Sequence, residues 1–541
     1  MNINVSMYET ILETKNETPS NNALLFLNKY VDYENLIYEI DDFSNGLHHL
    51  GLKPGDTVTM AMPNIFESIY AFYAVNRIGA ISHLVHPMTP VKQMERFMAK
   101  TGSKILIIVD TFFEHYKELL ENKEIRMILA NPTRTLGFVK KIGYKVINRT
   151  KLKNIRLNSQ VMSYSSLLGK RAIEQLPKIN SKKTSVYLHS GGTSGEPKTI
   201  ELSNFAINSL ASHTAHILGE TNFKNRHMLA VLPLFHGFGL CMGTHAMLCF
   251  GGVDTLMPKF DAIQTIKLLK NNQVNYVIGV PSLFENLIGK HEIRGAHLKN
   301  LHQAFVGGDY VALDLKNRFD RLMKEFGSKA RLLEGYGLTE VVTVCSVNTL
   351  KDHLQTSVGK PLPGLEIKIV SMEDRKFLEI GKDGEIVVSG DTMMNGYLEN
   401  KAHPKDNPFL IDENKKKWVL TGDFGFIDNE GYVHFKQRLK RIIKVSGMPV
   451  LPSEIENLVM SFDEIKEVAA IGVPDLEKGS MIKLYIVVHP NAVVEMLEKK
   501  IKEAIRMELS VYALPKDIIY MDELPKTMIG KTDTRKLESL G

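Results

Sequence analysis

Short apolar runs alternate with amphipathic segments along most of this 541-residue chain, and the alternation limits the folds it can adopt. The apolar runs lie at residues 57–62, 81–85, 186–189, 228–232, 274–280, 303–306 and 331–333. The segments with apolar residues at helical spacing lie at 35–50, 66–79, 262–269 and 311–326. Strands that alternate with helices predict layered α/β structure with parallel sheets. A chain of this length exceeds one hydrophobic core, so more than one domain is expected.

The pattern changes near residue 356, where the predicted strands become shorter and glycine turns more frequent. This change predicts an antiparallel, barrel-like subdomain over residues 355–437. Beyond Arg438 the pattern is that of a compact α+β region. The predicted divisions are a large N-terminal domain at 1–437, a connection at 438–440 and a small C-terminal domain at 441–541.

A loop rich in glycines and hydroxyl groups follows the apolar run at 186–189. It reads Ser190-Gly191-Gly192-Thr193-Ser194-Gly195-Glu196-Pro197-Lys198. Glycines let a ligand approach the backbone, N–H and hydroxyl groups bind phosphate oxygens, and Lys198 adds a positive charge. A Walker A loop needs Gly-Lys-Ser/Thr as adjacent residues, which Glu196-Pro197 prevents here. The loop therefore predicts a different class of phosphate site, although a flexible linker stays an open alternative for the loop taken alone.

The cysteine content and the longest uncharged stretch bear on compartment and membrane insertion. Cys241, Cys249 and Cys345 are too few for a disulfide framework and suit a reducing compartment, so we expect a cytoplasmic protein. Residues 228–253 lack Asp, Glu, Lys and Arg and reach the length of a membrane span. Because this stretch contains Pro233 and several glycines, we predict a buried strand–loop–helix segment and no transmembrane span.

Positive charge is concentrated in one part of the chain. Residues 125–173 contain eleven Lys and Arg residues and no Asp or Glu, and apolar residues are interleaved with the basic ones. One interpretation is a solvated surface excursion. The other is a patch over 134–156 that contacts anionic lipid headgroups or another anionic partner. The overall net charge of +6 is mild, and we expect no nucleic-acid partner.

Six motifs in order along the chain resemble those of the adenylate-forming superfamily of AMP-dependent synthetases and ligases. They are the loop at 190–198, Leu232-Pro233-Leu234-Phe235-His236-Gly237, Glu334-Gly335-Tyr336-Gly337-Leu338-Thr339-Glu340, Thr421-Gly422-Asp423, Arg438, and Leu524-Pro525-Lys526-Thr527 leading to Gly530-Lys531. The resemblance covers nearly the whole chain and is nearest to the fatty acyl-CoA ligases. It implies an AMP-forming acid–thiol ligase. A carboxylate would attack the α-phosphate of ATP, giving acyl-AMP and pyrophosphate, and a thiol would then displace AMP.

The resemblance implies a site for ATP and AMP. Its residues are Ser190, Gly191, Gly192, Thr193, Ser194, Gly195, Lys198, Gly308, Asp309, Glu334, Gly335, Tyr336, Gly337, Thr339, Asp423, Arg438 and Lys531. The glycine-rich loop would hold the β- and γ-phosphates, and Tyr336 with its neighbouring glycines would hold adenine. Asp423 and Arg438 would contact the ribose. The role of the Glu334 side chain stays open, since this residue could simply end the predicted strand without contacting the nucleotide.

The same resemblance implies catalytic roles for Lys531, Glu340, Thr193 and Lys198. Glu340 and Thr193 would hold Mg²⁺ together with phosphate oxygens. Lys531, which read alone would be an ordinary surface lysine, would bridge the attacking carboxylate and the α-phosphate. Its positive charge would offset the negative charge that grows in the transition state.

Further family positions imply a moving C-terminal domain. Lys440 occupies the hinge position, about which the small domain would rotate between the half-reactions. Lys444 and Gly447 would then line the channel for the thiol, because a glycine lets a pantetheine arm pass close to the backbone.

The predicted acyl pocket is formed by His236, Phe238, Val306, Gly307 and Gly337. His236 alone would be read as a packed or capping histidine, but its motif resembles the one that lines the carboxylate pocket in the family. The segments around the pocket contain no acid except the metal-holding glutamate. An amino-acid substrate is therefore disfavoured, because its ammonium group would lack a partner. A fatty or an aryl acid is favoured.

We expect the glycines at 237, 239 and 243 to leave room for a chain, which favours a medium- or long-chain fatty acid. Coenzyme A is the expected thiol, and the phosphopantetheine arm of an acyl carrier protein is the alternative. A non-catalytic protein that binds a nucleotide or an acyl adenylate is a further alternative. The presence of Lys531, Glu340 and Lys198 argues against this alternative.

Overall fold

The structure is a computed structural model that describes residues 1–190, 197–309, 311–401, 407–475, 478–490, 492, 494, 496–526 and 532–540. The chain divides into two compact units. The first unit comprises Met1–Gln355, Gly359–Glu366 and Val388–Val419, and the second comprises Thr356–Val358, Ile367–Val387 and Leu420–Gly541. Part of the segment that the sequence assigned to the N-terminal domain thus clusters with the C-terminal residues. The predicted boundaries and the hinge at 438–440 stay predictions.

The β-strands are given in chain order. They are β1 Asn22–Phe26, β2 Lys29–Asp32, β3 Thr57–Ala61, β4 Ile81–Leu84, β5 Ile105–Val109, β6 Arg126–Ala130, β7 Val161–Ser163, β8 Thr184–His189, β9 Thr199–Ser203, β10 His227–Ala230, β11 Val253–Leu256, β12 Tyr276–Gly279, β13 Gln303–Val306, β14 Leu332–Tyr336, β15 Ser346–Val347, β16 Lys360–Pro361, β17 Glu366–Val370, β18 Gly384–Ser389, β19 Gly396–Tyr397, β20 Phe409–Ile411, β21 Lys417–Ile427, β22 Val433–Arg438, β23 Ile443–Val445, β24 Met448–Val450, β25 Ile465–Asp475, β26 Gly479–Val488 and β27 Pro515–Tyr520.

The α-helices are likewise given in chain order. They are α1 Met7–Glu17, α2 Tyr33–His49, α3 Phe66–Ile78, α4 Val91–Thr101, α5 Phe113–Tyr116, α6 Phe138–Ile147, α7 Arg149–Leu152, α8 Asn204–Ser212, α9 Thr214–Leu218, α10 Ala246–Cys249, α11 Ala262–Lys270, α12 Pro281–Ile288, α13 Leu313–Glu325, α14 Pro452–Met460, α15 Leu497–Glu508 and α16 Thr534–Glu538. A π-helical segment, Phe238–His245, precedes α10. No helix of the described part of the chain is long and apolar enough to cross a membrane.

The first unit contains two large sheets whose central strands run parallel. One has the order β16-β15-β14-β13-β12-β10-β11-β1-β2, and the other has the order β19-β9-β8-β4-β3-β5-β6-β7. Helices lie between successive parallel strands in the chain, so the predicted α/β class is confirmed. In the first sheet β10, β12, β13 and β14 end close to one another, because neighbouring parallel strands place their carboxyl ends at the same edge.

Local sequence explains where these elements begin and end. Every residue of α3 is buried, and each of its large apolar side chains contributes roughly 1.5–3 kcal/mol by leaving water. The helix ends at Gly79, whose φ of 79° lies in the left-handed region that a side chain disfavours. The uncharged stretch at 228–253 folds as β10, the π-helical segment and α10, leading into β11. Its residues are largely buried, which confirms the strand–loop–helix prediction.

The second unit has its own core around β25, β26 and the helices α14 and α15. β25 pairs antiparallel with β26, and β27 pairs parallel with β26. Ile455 of α14, Ile501 of α15 and Leu484 of β26 are fully buried in the same cluster. This is the α+β region that the sequence predicts beyond Arg438.

A buried glutamate in the first unit gives the fold a pH dependence. The Glu67 side chain of α3 is fully buried, and burial raises its pKa to about 7 although Arg134 lies 3.3 Å from it. The folded protein therefore keeps a proton that the unfolded chain releases near pH 4.5. The contribution of Glu67 to stability is fully present below pH 4.5 and is lost as the pH rises through about 7.

Between pH 5 and pH 8, we expect the free energy of unfolding of Glu67→Gln to fall by about 2.5 kcal/mol less than that of the unmodified protein, because glutamine has no proton to release. Urea unfolding midpoints of both proteins across this pH range measure the difference. Glu34→Gln, which changes an exposed glutamate of α2, is the matched control. Parallel pH profiles for the protein and Glu67→Gln would contradict the expectation.

Candidate active site

The glycine-rich loop is held at its two ends by the strands β8 and β9. These strands pair antiparallel with His189 opposite Thr199, so the loop closes a hairpin. The Ser190 N–H donates to the Lys198 carbonyl at 2.9 Å, and the Lys198 N–H donates to the Ser190 hydroxyl at 3.1 Å. Gly191, Gly192, Thr193, Ser194 and Gly195 lie outside the described residues. The structure thus fixes the base of the predicted phosphate loop.

A buried histidine, His83, contacts the half-buried His189, which directly precedes Ser190 in the chain. His83 Nε2 of β4 lies 2.8 Å from His189 Nε2 of β8, and the His189 ring stacks on Phe97 with centroids 3.8 Å apart. Burial lowers the pKa of His189 to about 4, and it lowers that of His83 as well. Both rings are therefore neutral near pH 7, so one donates an N–H to the other. No local pattern in the sequence indicated this pair, because 106 residues separate its members.

Glu340 and Lys198 share one neighbour, Tyr397. The Tyr397 hydroxyl donates to Glu340 Oε1 at 2.8 Å, and Lys198 Nζ lies 4.6 Å from the centroid of the Tyr397 ring. The Met394 N–H donates to the Glu340 carbonyl at 2.8 Å. Tyr397 reaches this position because β19 pairs antiparallel with β9, which places it opposite Ile200. A phosphate-loop cation and the predicted metal-holding carboxylate are thus positioned by the same aromatic side chain.

Replacing Tyr397 by phenylalanine is expected to raise the Mg²⁺ concentration for half-maximal pyrophosphate release about tenfold. The change removes the hydroxyl that orients the Glu340 carboxylate but keeps the ring beneath Lys198, and such orienting groups are worth about 10–100-fold in metal affinity. Titration of Mg²⁺ at saturating ATP measures this half-maximal concentration. Tyr38→Phe, at a tyrosine that is 65% exposed, controls for the chemical change. A Mg²⁺ dependence equal to that of the control would contradict the role of the hydroxyl.

The described residues suit a magnesium ion that arrives with a nucleotide. No group of three or more His, Cys, Asp or Glu side chains in the described part of the chain could hold a metal by itself. Glu340 supplies one oriented carboxylate, and Mg²⁺ is commonly bound by one or two carboxylates together with substrate phosphates and water. When bound, Mg²⁺ would neutralise charge on the phosphate oxygens. Thr193, the second predicted ligand, lies outside the described residues.

An apolar pocket opens near the carboxyl ends of β12, β13 and β14. Its cavity volume is about 80 Å³. Its lining residues are Ile217, Leu218, Met228, Phe238, Met242, Ile278, Phe305, Val306, Gly307, Gly308, Gly335, Tyr336, Gly337, Thr343, Val344 and Val347. None of these side chains is charged. Residues predicted for the acyl group and residues predicted for adenine therefore line one pocket.

The glycines near this pocket pack closely and do not provide free volume. A Cβ at Gly237 would lie 1.8 Å from the Val342 carbonyl oxygen, and one at Gly239 would lie 2.3 Å from the Pro233 carbonyl oxygen. A Cβ at Gly243 would lie 3.1 Å from Ile278 Cδ1. The expectation that these glycines leave room for a chain is wrong, because each allows backbone or side-chain atoms to approach.

The structure places the other predicted pocket residues differently. Gly337 lines the pocket, and a Cβ there would lie 1.5 Å from the Thr343 carbonyl oxygen, so only glycine fits. His236 precedes the π-helical segment and is not among the lining residues, so its predicted contact with a carboxylate stays a prediction. Thr339 begins the short helical turn that carries Glu340. Asp309 follows Gly308, whose φ is 79°, in an exposed turn after β13.

The Glu334 side chain is engaged in a buried ion pair. Lys316 Nζ of α13 lies 2.7 Å from Glu334 Oε2, and the two side chains are only 6% and 15% exposed. Burial raises the pKa of Glu334, and the neighbouring ammonium opposes that shift. Removing one partner of such a pair leaves a buried charge, which costs about 3–5 kcal/mol. The pair gives Glu334 a role in packing, and its predicted contact with the nucleotide stays a prediction.

The second unit contains the predicted ribose residues. Asp423 of β21 lies opposite Arg438 of β22, and Arg438 Nε lies 3.0 Å from Asp423 Oδ1. The Asp423 side chain is fully buried, whereas that of Arg438 is 57% exposed. A charge-assisted contact with a guanidinium is strong and directional, so Arg438 orients the Asp423 carboxylate. The contact of this pair with a ribose stays a prediction.

The predicted hinge and thiol-channel residues follow in the same unit. Lys440 lies in a short helical turn, Leu439–Arg441. Lys444 lies in β23, and Gly447 with Ser446 forms the two-residue turn between β23 and β24. Both turn residues have positive φ, which is the geometry that best fits a tight hairpin. Among the described residues, and apart from its two chain neighbours, no heavy atom lies within 4 Å of a Cβ built on Gly447, which leaves this side of the backbone uncovered by the described part of the chain. Lys531 lies outside the described residues.

The structure thus combines a mixed α/β fold with a carboxylate oriented by Tyr397 and an apolar pocket near the carboxyl ends of β12, β13 and β14. The family model described as "AMP-binding enzyme" matches residues 12–398, and the model described as "AMP-binding enzyme C-terminal domain" matches residues 454–531. The chain belongs to this family of AMP-binding enzymes, and it is an AMP-forming acid–thiol ligase of the adenylate-forming superfamily.

Curated relatives match along most of their length. The "Long-chain-fatty-acid--CoA ligase" of Bacillus subtilis (strain 168) is 25% identical, with 99% of this chain and 94% of that protein covered. The protein of the same description from Salmonella typhimurium is 29% identical, with 90% and 86% covered. The "Probable 4-coumarate--CoA ligase 3" of Dictyostelium discoideum is 27% identical, with 92% and 88% covered.

Solved structures share the fold. The anthranilate CoA ligase AuaEII in complex with anthranoyl-AMP has a TM-score of 0.83 and 19% identity, with 100% of this chain and 98% of that chain covered. ATP-bound MatB from Rhodopseudomonas palustris has a TM-score of 0.81 and 21% identity, with 99% of each chain covered. At these identities the similarity establishes the fold, and it confirms the predicted fold class.

Proposed function

We propose that this ligase activates a medium- or long-chain fatty acid and transfers the acyl group to coenzyme A. The observation that carries the proposal is the pocket of the first unit, whose lining side chains are mostly apolar and include no charged group. Burying an ammonium or a second carboxylate there without a partner would cost several kcal/mol. A hydrocarbon chain has no polar group to desolvate when it enters the pocket, and each buried methylene contributes about 0.8 kcal/mol. The names of the B. subtilis and S. typhimurium relatives agree with this choice.

The proposed reaction has two steps. In the first, a carboxylate oxygen of the fatty acid attacks the α-phosphorus of ATP. A carbon–oxygen–phosphorus link forms, and the bond to the β-phosphate oxygen breaks, releasing pyrophosphate. In the second, the thiolate of coenzyme A attacks the acyl carbonyl, and AMP leaves with the electron pair of the broken carbon–oxygen bond. The acid needs no general base, since a carboxylate is already ionised near pH 7.

The residues of this chain would act chiefly by positioning and by charge. Lys198 and the glycine-rich loop would bind the β- and γ-phosphates, and Tyr397 would hold the Glu340 carboxylate toward the metal-binding position. Lys531 would stabilise the charge that develops between the carboxylate and the α-phosphate. The apolar pocket would exclude water from the acyl group, which protects the mixed anhydride from hydrolysis.

A chain-length series tests the choice of acid. We expect kcat/KM to rise from acetate to octanoate and palmitate, because longer chains bury more apolar surface. Benzoate, 4-coumarate, anthranilate, malonate and leucine are the comparison acids, each assayed with ATP, Mg²⁺ and coenzyme A. A higher kcat/KM for benzoate or 4-coumarate than for every fatty acid would assign the pocket to aryl acids and contradict the proposal.

The acceptor thiol is tested separately with the preferred acid. Continuous turnover after addition of free coenzyme A is the expected result. A single burst of pyrophosphate that coenzyme A does not extend, followed by turnover with a phosphopantetheinylated carrier protein, would identify the carrier protein as the acceptor. The first half-reaction is common to both cases, so the burst itself checks that the enzyme is active.

A further inference from the structure

Helix α6, Phe138–Ile147, exposes its large apolar side chains. Phe138, Val139 and Ile147 are 77%, 82% and 81% exposed, and Val146 and Ile142 are 68% and 46% exposed. None of the ten residues of the helix is buried. An ordinary surface helix turns its apolar stripe toward the core. Contiguous apolar side chains in solvent therefore indicate a surface that another body covers.

The polar side of the same helix is the one attached to the protein. The Tyr144 hydroxyl donates to Asp110, and Lys140 Nζ donates to the Leu27 carbonyl. Successive helical residues are about 100° apart, so these two side chains lie on the side opposite Ile142 and Val146. The hydrogen bonds of Tyr144 and Lys140 thus fix the helix with its apolar side outward. We call the exposed set Phe138, Val139, Ile142 and Val146 the outer face of α6; Ile147, at the last position of the helix, is exposed but lies on the attached side.

Positive charge surrounds the outer face. Lys141 and Lys145 of α6, Arg149 and Lys151 of α7, and Lys153 beyond it are all exposed. The segment 125–173 contains no acid that could neutralise them locally. On the neighbouring helix α5, Glu114 forms an ion pair with Lys117 at 2.8 Å. The surroundings of the outer face therefore carry a net positive charge.

Arg134 does not belong to this surface, although it lies at the start of the same basic segment. Its guanidinium pairs with Glu39 at 2.5 Å and with the buried Glu67 at 3.3 Å. It also lies over the Tyr164 ring at 5.4 Å. Arg134 thus attaches the basic segment to the rest of the first unit through ion pairs. The exposed positive charge comes from the Lys and Arg residues that follow it in the chain.

We propose that the outer face of α6 docks on an anionic lipid surface. A helix with a basic edge and a bulky apolar face lies in the plane of a bilayer with its apolar face about 5–10 Å deep and its Lys and Arg side chains at the headgroups. The described helices cannot span a membrane, so the contact would be peripheral. A second copy of this chain would present the same positive charge, so it is the poorer match. The proposal goes beyond the fatty-acid ligase function and does not depend on it.

Cosedimentation with vesicles tests the proposal without any use of enzyme activity. The unmodified protein is expected to bind vesicles with about one phosphatidylglycerol per two phosphatidylcholine molecules, and to bind pure phosphatidylcholine at least tenfold more weakly. The variant K141E/K145E/R149E is expected to bind the anionic vesicles about a hundredfold more weakly. F138S/V146S, which removes two exposed apolar side chains of the outer face and no core contact, is expected to bind the anionic vesicles about tenfold more weakly.

The matched control places the same charge change elsewhere on the first unit. K290E/K324E/K329E alters three other exposed lysines and lowers the formal net charge from +6 to 0, as the triple variant in α6 and α7 does. It is expected to bind vesicles within about threefold of the unmodified protein. Equal losses in the two triple variants would overturn the proposal, because binding would then follow net charge alone.

A spectroscopic variant tests insertion of the outer face directly. Trp418 is the one tryptophan of the sequence and is fully buried, so F138W adds a second, exposed indole. We expect a blue shift of its emission on addition of anionic vesicles, since the ring would leave water. An unshifted spectrum, or no vesicle binding by the unmodified protein, overturns the proposal. Binding of polyglutamate in place of vesicles would assign the surface to an acidic polypeptide and would overturn it too.

Discussion

Replacing Lys531 by alanine is expected to slow pyrophosphate release from ATP and a fatty acid by at least about a hundredfold. A single donor that stabilises developing charge in a transition state is typically worth 10²–10³ in rate, and roughly that loss is expected here. Transfer from a preformed acyl adenylate to coenzyme A is expected to stay within about threefold, because the role proposed for Lys531 concerns only the first half-reaction. Single-turnover measurements of each half-reaction separate the two rates.

The control for this prediction is a lysine a few residues further along. Lys536 lies exposed in α16, so Lys536→Ala reports the cost of losing a surface charge from the same part of the chain. If Lys531→Ala slowed both half-reactions equally, the residue would have a structural role. If it slowed neither, the assignment of Lys531 from its motif would be wrong.

Replacing Glu340 by glutamine is expected to lower kcat for adenylation by about a hundredfold and to move the Mg²⁺ optimum to higher concentration. Glutamine keeps the size of the side chain and still accepts from Tyr397 through its amide oxygen, so the local fold should be unchanged. It lacks the negative charge that a hard cation requires. Initial rates across a Mg²⁺ series at fixed ATP give both quantities.

An exposed glutamate provides the comparison for Glu340. Glu325 at the end of α13 is exposed, and Glu325→Gln is expected to retain the unmodified rate and Mg²⁺ dependence. A Glu340→Gln enzyme with an unchanged Mg²⁺ dependence would show that this carboxylate does not hold the metal. The expected loss would then need another origin, such as a shift of the turn that Glu340 shares with Thr339.

Much of the fold follows from periodicity in the sequence. The apolar run at 303–306 coincides with β13, and the helical pattern at 311–326 contains α13, Leu313–Glu325. Parallel strands that are buried on both faces consist of nearly uninterrupted apolar residues, so they can be recognised in the sequence. The division into units was harder to predict, because residues 367–387 cluster with the distant C-terminal part. Local patterns do not report which strands pair across hundreds of residues.

The candidate site was predictable where motifs are local and not where a long-range contact creates it. Glu340 and Lys198 stand out by their motifs, but Tyr397 lies 57 residues beyond Glu340 in an inconspicuous Gly-Tyr pair. Likewise, the glycines at 237 and 239 look like spacers in the sequence, and only their neighbours show that they serve close packing. The sequence likewise did not predict that Tyr144 attaches α6 by its polar side, since an amphipathic pattern does not show which side of a helix contacts the protein.

Pyrophosphate release with ATP and Mg²⁺, measured with and without palmitate and with and without coenzyme A, tests the central claim most directly. The account predicts no release without the acid, a burst of about one equivalent with the acid alone, and continuous turnover when coenzyme A is added. Lys531→Ala should slow the burst by at least about a hundredfold. Failure of every fatty acid to elicit pyrophosphate, in a preparation that binds ATP, would contradict the account and leave a protein that binds nucleotides without activating acids.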